Sequence, residues 1–181
     1  MGTRNIGVAV AVPPPYGAQL QAWREQLGDP TAHAIPAHIT LLPPTRVAEG
    51  ELIKIDAHLQ EVAAGEAGPF PLVLRGTGTF RPISPVVFVQ IAIGIADCER
   101  LESRVRSGPL SRELRFPYHP HVTIAHDVPE DVLDRAFGAL SGYHVRFEVA
   151  EFSLYEHGPD GVWRPERNYR LGQAAAPQAG A

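Results

Sequence analysis

Tyr118-His119-Pro120-His121-Val122-Thr123-Ile124-Ala125-His126 has an echo far upstream, Ile35-Pro36-Ala37-His38-Ile39-Thr40-Leu41-Leu42-Pro43. Each stretch holds a histidine, a β-branched aliphatic residue, a threonine and further aliphatics. Each follows a proline closely, and one lies in each half of the chain. Side chains alternate along a strand, so residues i and i+2 share a face. His38 and Thr40 therefore share one face, opposite Ile39 and Leu41; His121 and Thr123 share one face, opposite Val122 and Ile124. A polar pair backed by branched aliphatics is the pattern of a strand lying on a core with its polar side open. The chain has 8 histidines and 7 threonines, so chance gives roughly 0.3 His-x-Thr matches and a single match would be a weak motif. Two matches, both in strand-like runs after a proline, point to two strands from two similar halves that build one site.

A length of 181 residues allows one domain or two small lobes sharing a core. The hydrophobic fraction of 44% is ordinary for a globular chain. A net charge of −4 argues against a general binder of long nucleic acid, which carries a basic excess. A small phosphorylated ligand or the end of an RNA chain remains compatible with it. The single Cys98 excludes an internal disulfide and gives no cysteine metal site. Ile6–Val12 is apolar but short and is stopped by Pro13-Pro14-Pro15, which does not make a signal peptide. No apolar run is long enough for a membrane span. The expectation is a cytoplasmic protein that acts as a monomer, with no membrane association and no obligate protein partner.

In chain order, Ile6–Val12 reads as a strand, Gly17–Leu27 as a helix stopped by Gly28-Asp29-Pro30, and 37–42 as the first motif strand, closed by Pro43-Pro44. Gly50–Ala64 reads as a helix. Phe70–Phe80 and Val86–Ile93 read as strands joined across Arg81-Pro82-Ile83-Ser84-Pro85. Ala96–Arg106 reads as a helix, 119–125 as the second motif strand, and Pro129–Leu140 as a helix with Pro129 in its first turn. Val145–Glu156 and Val162–Leu171 read as a final hairpin, and 173–181 as a mobile, low-complexity tail. The arginines of 100–115 read mostly as a solvated helix face, with Arg115 the one best placed to reach a ligand. The order is an approximate duplication and the fold class is α+β, with mostly antiparallel sheets and outer helices.

Histidine titrates near neutrality, so one neutral and one protonated imidazole can remove a proton from a nucleophile and deliver one to a leaving oxygen. Threonine hydroxyls two residues on can donate to phosphate oxygens where charge builds. That scheme needs no metal or other cofactor.

With those residues in view, His38-Ile39-Thr40-Leu41 and His121-Val122-Thr123-Ile124 resemble the motifs of the 2H phosphoesterase superfamily. Within it, the chain is most similar to the bacterial 2′-5′ RNA ligase-like, or RNA 2′,3′-cyclic phosphodiesterase, group. The resemblance covers residues 5–172, with only the motif stretches specific. It implies a single bilobal, pseudo-duplicated domain over 1–172, with the two motif strands facing across a central groove. It implies opening of 2′,3′-cyclic phosphates, on RNA ends or small nucleotides, to 2′-phosphates, with 2′-5′ ligation a further activity of some members. His38 and His121 become the acid/base pair, in either order, and Thr40 and Thr123 hold the phosphate. Many members carry an arginine where this chain has His126, which makes His126 a phosphate contact when protonated. Tyr118 is placed to stack on a base or to pack at the strand entrance. Two rivals stay open: a metallohydrolase built on His119, His121 and His126, and a non-catalytic module that binds a nucleotide or RNA end.

Overall fold

The computed structural model describes residues 2–173. Among the described residues, eight strands and four α-helices follow the duplicated order: β1 (Thr3–Ala11), α1 (Tyr16–Gln26), β2 (His38–Ala48), α2 (Leu52–Ala64), β3 (Phe70–Thr79), then β4 (Val86–Ile93), α3 (Ile95–Val105), β5 (His121–His126), α4 (Glu130–Ala139), β6 (His144–Val149), and finally β7 (Glu151–His157) and β8 (Trp163–Arg170). The strands form one sheet in the order β6-β3-β4-β5-β2-β1-β7-β8, and every pairing is antiparallel. One lobe is β2-β1-β7-β8, the other β6-β3-β4-β5. They meet at a single bridge, Ile39 opposite Val122, between the two motif strands.

Two elements differ from the sequence reading. The first motif strand does not stop at Pro43-Pro44 but runs to Ala48. The prolines fall in a register irregularity facing Gly7, between the pairs Val8–Leu42 and Ile6–Thr45. A bulge is where a residue without a backbone N–H costs the ladder least. The segment Val145–Glu156 is two strands broken at Ala150: β6 pairs with β3 at one end of the sheet, and β7 pairs with β1 in the other lobe. The curled sheet brings these ends together, so the hairpin partner of β8 is β7 alone. The expected tail lies, from residue 174 onward, outside the described residues.

The helices cover the outer face. Motif residues Ile39, Leu41, Val122 and Ile124 are each at most 1% exposed and belong to one core cluster. Burying each stabilises the fold by about 1.5–3 kcal/mol. α1 packs against β5 and α3 against β2, so helices of each half contact the motif strand of the other. The arginines of α3 and its C-cap are not simply a solvated face. Arg100 and Arg104 both bind the buried carboxylate of Glu66, and Arg106 binds buried Glu102. A buried carboxylate demands such partners.

Among the described residues, no helix is long and apolar enough to cross a membrane.

Candidate active site

The Ile39–Val122 bridge fixes the geometry of the site. In an antiparallel pair, this register sets His38 opposite Thr123 and Thr40 opposite His121. All four side chains point away from the core, on the concave face, and all four are part-exposed. The two histidines thus occupy diagonal corners of a small square, each facing the other motif's threonine, with directly opposed Cβ atoms about 4.5–5.5 Å apart.

The two imidazoles are held alike. Nδ1 of His38 lies 2.9 Å from the carbonyl oxygen of Pro36, and Nδ1 of His121 lies 2.7 Å from that of His119. A carbonyl only accepts, so each Nδ1 carries the proton and donates; this assigns the tautomer from the hydrogen-bond network. Each neutral ring therefore carries its lone pair on Nε2. Nε2 of His38 accepts from the Thr40 hydroxyl at 3.1 Å. Nε2 of His121 has no protein hydrogen-bond partner among the described residues.

Burial disfavours the charged form of both rings. It drives His38 down from 6.5 to about 4, opposed by the Pro36 carbonyl and reinforced by the Arg24 guanidinium and by His121. It also lowers His121, opposed by the His119 carbonyl and reinforced by the His119 ring. Both rings rest neutral near pH 7.

Beside Thr40 and His121 opens a cavity of about 620 Å³. Its walls are largely apolar and aromatic, with Leu41, Pro43, Phe80, Ile83, Phe116 and Tyr118 among them. Two arginines, Arg112 and Arg115, and two carboxylates, Glu102 and Glu113, also line it. Arg115 is exposed and lies over the Phe116 ring at 5.4 Å. Tyr118 lines the cavity, and its hydroxyl donates to the Thr40 carbonyl at 2.9 Å, so it clasps the two motif strands as well. His126 ends β5, with Nε2 3.4 Å from the Asp127 carboxylate; like His38 and Thr123, it does not line the cavity. Of the expected site residues, Thr40, His121, Tyr118 and Arg115 line the cavity, His38 and Thr123 join them through the strand register, and His126 follows on the same strand as Thr123.

Sequence reasoning missed the parts that brace the site. Arg24 and Asp29, 2% and 4% exposed, form a buried ion pair at 2.9 Å. The same guanidinium donates to the carbonyls of Ile35 and Thr31 and so shapes the loop that delivers His38. A basic residue five positions before an acid at a helix stop was the only local signal. Aromatic rings back both histidines: Trp163 lies 5.9 Å from His38, while Phe80 and Phe88 lie 4.9 and 5.1 Å from His121. Phe80 and Phe88 also stand against His119. Among the described residues, no group of three or more His, Cys, Asp or Glu side chains is arranged to hold a metal ion.

Comparison with known proteins gives consistent results. Residues 12–161 match the family model of the 2′-5′ RNA ligase superfamily. A provisionally named phosphoesterase of Halalkalibacterium halodurans is 29% identical over 171 residues, covering 93% of this chain and 98% of its own. The crystal structure of Escherichia coli LigT complexed with NADP+ superimposes with a TM-score of 0.70 at 21% identity, over 95% of this chain and all of that one. A Thermus thermophilus protein, TT0787, superimposes with a TM-score of 0.61 at 26% identity, over 93% and 98% of the two chains.

Proposed function

The chain belongs to the 2′-5′ RNA ligase superfamily, and from that premise we propose that it is a metal-independent phosphoesterase that opens 2′,3′-cyclic phosphates to 2′-phosphates. The observation that carries the reading is the diagonal His-Thr square, with each Nδ1 tied to a backbone carbonyl so that Nε2 is each ring's working nitrogen, held by the Thr40 hydroxyl in His38 and without a protein partner among the described residues in His121. A phosphate seated there has one imidazole on either side. Its non-bridging oxygens meet the hydroxyls of Thr40 and Thr123, where charge develops in the transition state.

His38, which burial holds neutral down to about 4, acts as base: Nε2 takes a proton from water as the oxygen attacks phosphorus. His121 acts as acid. Its Nε2 delivers a proton to the departing 3′ oxygen, and the P–O3′ bond breaks to leave a 2′-phosphate. The incoming anion favours protonation of the imidazole it meets. The nucleoside carrying the phosphate lies in the cavity beside Thr40 and His121, whose aromatic walls suit a base. A small cyclic nucleotide and an RNA end with a cyclic phosphate both fit this chemistry. The E. coli fold relative complexed with NADP+ is in keeping with a nucleotide ligand.

The test is hydrolysis of a nucleoside 2′,3′-cyclic phosphate, and of a short RNA ending in one, with EDTA present. Turnover of either, undiminished by the chelator, is expected. Activity lost in EDTA and restored by zinc would instead favour a metal-dependent reaction.

The pH dependence follows from the two rings. The reaction needs His38 neutral and His121 protonated. Below about 4 the base is lost. Above the His121 value, which lies under the usual 6.5, the acid is lost. The profile of kcat/KM should therefore be a bell with its maximum on the acid side of pH 6.5, and the limbs of kcat should lie higher because bound phosphate favours the charged rings. A rate that climbs to a plateau above pH 8 would contradict this pairing.

A further inference from the structure

We propose that Trp163 is a positioning residue for His38, a ring seated on Gly7 that backs the imidazole and fixes its orientation toward the phosphate. The inference rests on the acid/base reading above. The indole and imidazole centroids are 5.9 Å apart with the planes inclined by 34°. The indole lies so close over Gly7 of β1 that a Cβ there would overlap its six-membered ring. Tyr155 and His157 of β7 brace it edge-on, at 5.9 Å and 5.6 Å. The backbone N–H of Trp163 donates to the Ala34 carbonyl at 2.8 Å, which ties the start of β8 to the loop leading into the first motif.

The second lobe repeats the device with different residues. Phe88 of β4 lies over Gly78 of β3, where a Cβ would meet its ring, and its centroid is 5.1 Å from that of His121. In both lobes a strand glycine makes room for an aromatic ring, and the ring backs the motif histidine. A glycine inside a strand weakens it and often marks close approach of another group. Two such glycines under two such rings give that weakness a purpose.

The physical effect on His38 is twofold. The indole lies beside the imidazole and limits its contact with water on that side, which disfavours its charged form. It also limits rotation of the ring, while the Pro36 carbonyl holds Nδ1. The other groups facing His38 are the Arg24 guanidinium from α1, the His121 ring from β5 and the Thr40 hydroxyl along β2. Trp163 adds no charge to this set, so its contribution is shape and exclusion of water. A misplacement of a reacting group by about 1 Å costs on the order of 10²-fold in rate.

The experiment compares wild type with Trp163→Ala, Trp163→Leu and Trp163→Phe, with ¹⁵N-labelled histidine followed by NMR through a pH titration. Signals of His38 are assigned from their loss in His38→Gln. The wild-type ring should show the Nδ1–H tautomer. In Trp163→Ala and Trp163→Leu, the His38 midpoint should move up toward 6.5 and the tautomer should become mixed, while Trp163→Phe stays near wild type. With cyclic phosphate substrate, kcat should fall on the order of 10-fold to 10²-fold with KM little changed, and the phenylalanine should restore it. An unchanged His38 titration and tautomer in the variants would overturn the proposal. So would a raised KM with unchanged kcat, which would make Trp163 a platform for the ligand. The NMR arm needs no substrate, so a wild type that turned over nothing would count against the proposed reaction and leave this inference to be decided by the titration.

Discussion

His38→Ala and His121→Ala are each expected to lower kcat on a 2′,3′-cyclic phosphate by about 10²–10⁴-fold, the usual range for removing a general acid or base. The expectation follows from where the lone pairs sit. Both Nδ1 atoms donate to backbone carbonyls two residues upstream, so Nε2 is the atom each ring presents to a substrate, and alanine deletes it. Neither change should cost much stability, because both rings lie on the open face, and core contacts on these strands are made by Ile39, Leu41, Val122 and Ile124. The double variant should be little slower than the worse single one, since groups that act in one step are not additive. The check is steady-state kinetics beside thermal melts of each variant. If either single variant kept more than a tenth of wild-type kcat, its histidine would not be moving a proton in the rate-determining step.

Asp29→Ala is expected to destabilise the protein by about 3–5 kcal/mol, the cost of leaving a buried charge without its partner. Arg24 and Asp29 are almost wholly enclosed. The guanidinium spans the Asp29 carboxylate and the carbonyls of Thr31 and Ile35, while Asp29 also accepts from the backbone N–H and hydroxyl of Thr31. For a chain of this size that loss lowers the melting temperature by roughly 6–20 °C. Arg24→Met combined with Asp29→Ala should be less damaging than the sum of the two single changes, because no unpaired charge then stays buried. Chemical denaturation of the four proteins reads this directly. A loss under 1 kcal/mol for Asp29→Ala would mean that water reaches Arg24 and that the loop before His38 is braced by something else. Activity should fall with stability, since this loop carries Pro36, the partner of His38.

These two predictions mark what was legible in the sequence and what was not. The motif strands were legible because a period of two leaves its mark on every residue: Ile39, Leu41, Val122 and Ile124 are buried as the alternation requires, and the polar residues between them are part-exposed. The order of strands and helices was legible for the same reason. The break at Ala150 was not, because nothing in Val145–Glu156 resembles a stop; only the curl of the sheet splits it between two lobes. Pro43-Pro44 read as an end because a proline cannot donate, yet a bulge opposite Gly7 removes the need for a donor. Arg24, Trp163 and Phe88 were invisible as parts of the site because contacts across the fold, not local pattern, bring them to it. His126 closes the second motif strand, beside Asp127.

The central claim is that two diagonal histidines open a cyclic phosphate from opposite sides. The measurement that tests it most directly is ³¹P NMR of a nucleoside 2′,3′-cyclic phosphate incubated in EDTA with wild type and with the His38→Ala/His121→Ala double variant. The account predicts a single product resonance, that of the 2′-monophosphate, growing only with the wild type. A 3′-monophosphate product, or equal turnover by a folded double variant, would contradict it.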